Sequence, residues 1–136
     1  RIEGIQGNCW WPGYSVTNNY KGVADSLAAY HQSTIAIVPS YPWISTEIPA
    51  IVEVKANKEG KLTWKAPVLE NKATDVVRYV VYRFADKKSI NLEDASAIVV
   101  VTPANEFDTK EKGVYVVTAL DRVNNESPAS KPIEIK

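Results

Sequence analysis

The sequence predicts a mainly β chain, with a two-sheet sandwich over the last two thirds and one strand, one loop and one helix before it. Three observations carry that expectation. Short apolar runs recur between turn signals beyond Pro49. The aromatic motifs KLTWKAP, RYVVYRF and VYVVTALDRVNNES fall inside those runs. The residues before Pro49 follow a different rhythm, with proline and aromatic side chains in place of strand periodicity.

The runs are Ile51 to Lys55, Lys61 to Lys65, Val76 to Phe84, Ala97 to Thr102, Val114 to Leu120 and Pro132 to Ile135. In Lys61 to Lys65, Leu62 and Trp64 alternate with Lys61, Thr63 and Lys65, which requires one dry and one wet face. Val76 to Phe84 is apolar on both parities, as a central strand should be. Asn57-Lys58-Glu59-Gly60 reads as a hairpin turn and Asn124-Asn125 as the turn before the last strand. About seven short strands in roughly 100 residues is the expectation for an immunoglobulin-like sandwich.

The first part reads differently. Ile2, Ile5, Cys9 and Trp10 suit a buried strand from Ile2 to Trp10, which Pro12 and Gly13 end. Tyr14 to Tyr20 reads as a loop. A helix is expected from Gly22 to Gln32, with Val23, Leu27 and Tyr30 on one buried face and Asp25 in a position the helix dipole favours. Thr34 to Pro49 holds Pro39, Tyr41, Pro42, Trp43 and Pro49, so it reads as an ordered connector, because a floppy linker is rich in Gly and Ser. The expected division is 1–47 and 48–136.

Apolar residues make up 45% of the 136 and charged residues 24%, enough for a packed core without disulfides. The formal net charge is zero, which disfavours polyanionic partners and nucleic acid in particular. No apolar run approaches the roughly 20 residues that span a bilayer. Cys9 and His31 each stand alone, so neither a zinc site nor a thiol–imidazole pair is expected, and no metal or cofactor is implied. A chain that starts at Arg1 and contains no methionine is expected to have been processed, excised or truncated.

From about Ile48 to Lys136 the chain resembles a fibronectin type III domain. The matching residues are Trp64, Tyr79-Val80-Val81-Tyr82-Arg83, Phe107-Asp108 and Tyr115-Val116-Val117-Thr118-Ala119-Leu120-Asp121. The resemblance implies that Trp64, Tyr79, Val81, Val117 and Ala119 point into the core. It puts the tyrosine-corner position at Gly113, leaving Tyr115 to pack in the core instead.

Nearer the N-terminus, the stretch QGNCWWPGYSVTNN, the helix VADSLAAY and the run IAIVPSYPWI resemble the last strand, loop and helix of the catalytic barrel in the family-10-like glycoside hydrolases of Bacteroidetes. That resemblance implies an upstream barrel of about 250 residues in the same polypeptide. It further implies polysaccharide as a partner and export to the periplasm, cell surface or medium. In such a barrel the active face is built by the loops after the strands, so Trp10, Trp11 and Tyr14 become the candidate substrate-binding residues.

Glycoside hydrolysis generally needs two carboxyl groups, and the barrel-like part offers only Glu3 and Asp25, neither where a catalytic acid belongs. No catalytic residue is therefore expected in this chain. Asp86, Glu93, Asp94, Glu106, Asp108, Asp121 and Glu126 read as solvated charges, with a calcium loop at Asp121, Asn124, Asn125 and Glu126 a weak alternative. The leading expectation is a non-catalytic C-terminal portion of an exported glycoside hydrolase. The alternatives are a free-standing carbohydrate-binding or adhesion module and a structural spacer.

Overall fold

A computed structural model describes Cys9 and residues 11–65 and 75–136. The strand expected over Ile2 to Trp10, and Trp10 itself, lie outside the described residues. The chain forms two compact units, Arg1–Ile35 and Ala36–Lys136.

In the first unit, the stretch expected to be a loop carries a helical turn, α1 (Tyr14–Thr17), and the start of a 3-10 turn (Tyr20–Gly22). The Pro12-Gly13 pair, expected to end a strand, opens this helical turn. The carbonyls of Pro12 and Gly13 accept from the amides of Ser15 and Val16, and proline is well suited to a first helical turn. Asn19 then holds the entry to α2 (Val23–Ser26). Its Oδ1 accepts from the amides of Ala24 (2.9 Å) and Asp25 (3.3 Å), and its Nδ2 donates to the Asp25 carboxylate (2.7 Å).

α2 continues as a π-helical turn, Leu27–His31, closed by the Gln32 amide donating to the Leu27 carbonyl at 2.7 Å. The helix is where it was expected, but its face is not. Leu27 is buried while Tyr30 is 78% exposed. A π turn takes one more residue per turn than an α turn, which carries residues beyond Leu27 off the i, i+4, i+7 stripe.

The second unit is a two-sheet antiparallel sandwich. β1 (Val54–Ala56), β2 (Lys61–Trp64) and β5 (Glu106–Asp108) form one sheet in the order β1-β2-β5. β3 (Arg78–Phe84), β4 (Ile98–Thr102), β6 (Gly113–Leu120) and β7 (Ile133–Ile135) form the other in the order β4-β3-β6-β7. The fold is mainly β and fibronectin type III-like. β5 escaped the sequence reading because a single Phe107 between Glu106 and Asp108 shows no period; its place is set by pairing Leu62 with Phe107.

Between the sheets lie Val52, Leu62, Trp64, Tyr79, Val81, Tyr115, Val117 and Ala119, including all five expected core residues. Side-chain alternation along β3 and β6 sends Val80, Tyr82, Phe84, Val116 and Leu120 to the opposite face. That face is also dry. Ile37, Ile90, Leu92, Ile98 and Ala129 pack against it, so the central strands β3 and β6 are covered on both sides and Val114 to Leu120 are buried without exception, while Val99 of β4 and Glu134 of β7 stay exposed.

Turns and edges are closed by named polar groups. Asn57 Oδ1 accepts from the amides of Glu59 and Lys61 in the expected hairpin turn, and Gly60 adopts φ +86 there. A Cβ on Gly60 would lie 2.1 Å from the Thr109 carbonyl oxygen, so only glycine fits. Beyond the reach of β7, the hydroxyls of Ser127 and Ser130 accept from the β6 amides of Ala119 and Val117.

The tyrosine corner is present. The Tyr115 hydroxyl donates to the Glu111 carbonyl (2.9 Å) and sits 2.9 Å from Thr109 Oγ1, while its ring packs in the core 6.5 Å from that of Phe107. This corrects the expectation that Gly113 at the corner position leaves Tyr115 only to pack in the core. One side chain, two residues before Val117, serves as both core aromatic and corner donor.

Tyr115→Phe keeps the ring and removes the hydroxyl, so it should cost about 1 kcal/mol. The loss should appear as a lower urea midpoint at unchanged m-value. An unchanged midpoint would show that the corner bond does not contribute.

Candidate functional site

The first candidate is the aromatic segment that begins the first unit. Trp11 is 92% exposed and Tyr14 is 64% exposed. Both stand at the entry to α1, Trp11 in the bend that precedes it and Tyr14 as its first residue, with the Trp11–Pro12 peptide bond cis. Tyr20 is also exposed, with the Lys21 ammonium 5.5 Å from its ring centre. An open apolar ring flanked by polar groups can stack on the C–H face of a sugar, the chemistry expected of Trp11 and Tyr14. The Asp25 carboxylate accepts from Asn19 Nδ2 at 2.7 Å, which ties it to the entry of α2.

A second polar constellation, the Asp121 to Glu126 group weighed in the sequence as a calcium loop, lies in the sandwich at the turn after β6. Asp121 is fully buried, which corrects its reading as a solvated charge. Its Oδ1 accepts from the amides of Val123 (2.9 Å) and Asn125 (2.8 Å), and its Oδ2 from the Asn125 side-chain amide (3.0 Å). A buried carboxylate is tolerated when its lone pairs are met in this way.

The same Asn125 Nδ2 donates to the carbonyls of Ser45 (3.1 Å) and Glu47 (2.8 Å), and the Tyr41 amide donates to the Val123 carbonyl. The proline-rich connector is thus strapped to the sandwich. Asn124, at φ +61, accepts from Arg78 Nη2 (2.9 Å).

These contacts use Asp121 of the calcium-loop alternative in the fold itself, both of its oxygens being met by N–H donors of its own turn. They also use Asn125, the acceptor position of a formal glycosylation triplet with Glu126 and Ser127. The sequence signal was available in outline: an Asp four residues before an Asn across a turn is an arrangement that side chain–backbone bonds favour.

Glu126 is half-buried and accepts hydrogen bonds from the hydroxyls of Tyr82 (2.7 Å) and Thr118 (2.6 Å) on the outer face of the four-stranded sheet. Burial, and then the Glu126 carboxylate, push the Tyr82 hydroxyl well above the ordinary phenol range. Asp94 accepts from Ser96 at its hydroxyl and amide, and those bonds hold its carboxyl below the usual range. Asp86 caps the 3-10 turn Lys87–Ser89. Asp86 and Asp94 are thus exposed, as expected of solvated charges, while also capping turns, whereas Asp121 is buried and Glu126 half-buried.

No protein-family model matches the chain. The chain is 29% identical over 138 aligned residues to Glycosyl hydrolase YngK of Bacillus subtilis (strain 168), a match that covers 96% of this chain and 27% of that protein. The chain therefore spans about a quarter of the length of the curated relative it matches. Among solved structures, the sixth fibronectin type III domain of human fibronectin type III domain containing protein 3 aligns with a TM-score of 0.46. The identity is 19%, over 67% of this chain and 86% of that one.

Asn125→Ala removes the amide that joins Asp121 to two connector carbonyls, and should lower stability by about 2–3 kcal/mol. Hydrogen exchange should show the amides of Tyr41 to Glu47 losing protection before the β6 amides do. Equal protection in both proteins would mean that the strap is held by other contacts.

Proposed function

We propose that the chain is the non-catalytic C-terminal portion of an exported glycoside hydrolase acting on polysaccharide. In this reading 1–47 is the last β/α unit of a catalytic barrel with its connector, and 48–136 is an accessory domain that stabilises the barrel. The location is the periplasm, the cell surface or the medium, and the partners are the upstream barrel and polysaccharide.

The observation that carries the reading is the extent of the similarity to Glycosyl hydrolase YngK, 96% of this chain. A likeness confined to the sandwich would suit any protein that carries such a domain. One that continues through the aromatic segment supports the two parts belonging together in a hydrolase. The chemistry agrees. Asp25 is bound by Asn19, and Asp86, Asp94, Asp121 and Glu126 hold turns or sheet faces, so the acid–base pair belongs to the rest of the polypeptide. Trp11 and Tyr14, with Trp10, supply a stacking loop at the barrel's active face.

The polypeptide that carries this chain should release reducing ends from polysaccharide, and the 136-residue chain alone should release none. In the longer polypeptide Trp11→Ala should raise KM and leave kcat nearly unchanged, the signature of lost uniform binding. Hydrolysis by the chain alone would overturn the reading. Glycan binding by the chain alone that is abolished by Trp11→Ala would establish a free-standing binding module in its place.

A further inference from the structure

A cleft of about 660 Å³ opens at one end of the sandwich, where the turn after β3 meets the start of β6 and the end of β7. Its floor is the opening of the β6–β7 ladder, with Gly113 opposite Ile135 and Val114 opposite Glu134. Four lysines, Lys87, Lys88, Lys112 and Lys136, line it against two acids, Asp86 and Glu134. In a chain with 16 basic and 16 acidic residues this is a local excess that the balanced total conceals.

The excess is uncompensated. Lys61 pairs with Glu106 and Arg83 with Glu111, but among the described residues none of the four cleft lysines is in an ion pair. Asp86 is committed to its own turn, its Oδ1 accepting from the amides of Lys88 (2.7 Å) and Ser89 (3.0 Å). That capping box fixes the turn bearing Lys87 and Lys88. Lys112 follows Glu111, whose carbonyl is held by the tyrosine corner. Two walls of the cleft are therefore pinned before any ligand arrives, which lowers the ordering cost of binding.

We infer that this cleft binds a carboxylate- or sulfate-bearing polysaccharide. Lysine ammonium groups act as point charges that meet such groups without demanding a fixed planar geometry. The volume lies within the range of about 300–1,000 Å³ typical of ligand sites, room for a short stretch of polymer. The anionic character follows from the lysines; the choice of a saccharide rests on the proposed function above. This gives the sandwich a contact with substrate distinct from the aromatic loop, and one that salt weakens.

The test is affinity electrophoresis of the 136-residue chain in gels containing polygalacturonate, dextran sulfate, unsubstituted dextran or polyphosphate. Polygalacturonate or dextran sulfate should retard the chain and unsubstituted dextran should not. Lys87→Ala with Lys112→Ala should weaken that retardation about fivefold or more, and added salt should abolish it. Lys58→Ala, in the β1–β2 turn, should leave it unchanged. Failure of every polyanion to bind, or equal binding by the double variant, would overturn the site. Cleft-dependent binding of polyphosphate alone would overturn the saccharide assignment while leaving an anion site. Neither result touches the reducing-end assay on which the proposed function depends.

Discussion

The sandwich unit depends on one buried carboxylate. Asp121, wholly out of solvent, would be costly to bury were its oxygens not met by three N–H donors from its own turn. Those bonds do more than satisfy a charge. They orient the Asn125 side chain so that its amide faces the connector, where the Ser45 and Glu47 carbonyls need donors. A connector rich in proline has few amides with which to satisfy itself or its neighbours, so an external donor decides where it lies. Its path along the sandwich is written in the turn after β6, some 80 residues downstream in sequence.

That arrangement has a consequence for packing. An antiparallel sheet commonly keeps one face wet, but the four-stranded sheet here has its central strands β3 and β6 covered on both. Its outer face carries Val80, Tyr82, Phe84, Val116 and Leu120, covered in part by Ile37 from the connector. Within this dry face the hydroxyls of Tyr82 and Thr118 need a partner, and Glu126 supplies one carboxylate oxygen to both. The turn from Asp121 to Glu126 thus acts on two sides, holding the connector through Asn125 and satisfying the sheet through Glu126.

Much of the sandwich was legible because its signals are local. Trp64 and Leu62 alternate with polar neighbours, β3 and β6 are apolar on both parities, and Asn57 to Gly60 is a turn by composition; the structure places each accordingly. What was missed depends on contacts distant in sequence or on small departures from regular geometry. β5 is three residues long and exists because β2 pairs with it. A π turn moved Tyr30 off the buried stripe. With Gly113 at the family's corner position, Tyr115 was expected only to pack, but it both packs and donates, and no period in a sequence distinguishes a ring that does one from a ring that does both. The aromatic candidates were legible as residue types, and the structure leaves Trp11 and Tyr14 open to solvent, but what they would touch is not encoded near them. The lysine cleft was hidden by a net charge of zero, which carries no information about where charges sit.

The division between satisfied and unsatisfied groups separates scaffold from function in this chain. Asp86, Asp94, Asp121, Glu126, Asn57, Asn125, Ser127 and Ser130 each meet a backbone or side-chain partner that fixes a turn, a strap or a sheet face. A carboxylate engaged in that way has little freedom to move protons to a substrate, so these four serve the scaffold. Among the described residues, exposed rings in the first unit and lysines in no ion pair at one end of the sandwich stand outside these networks, the rings offering flat apolar surface and the lysines positive charge. Rings can stack on the faces of sugars and ammonium groups can meet acidic substituents, and that complementarity is the physical basis of the polymer-holding role proposed for this chain.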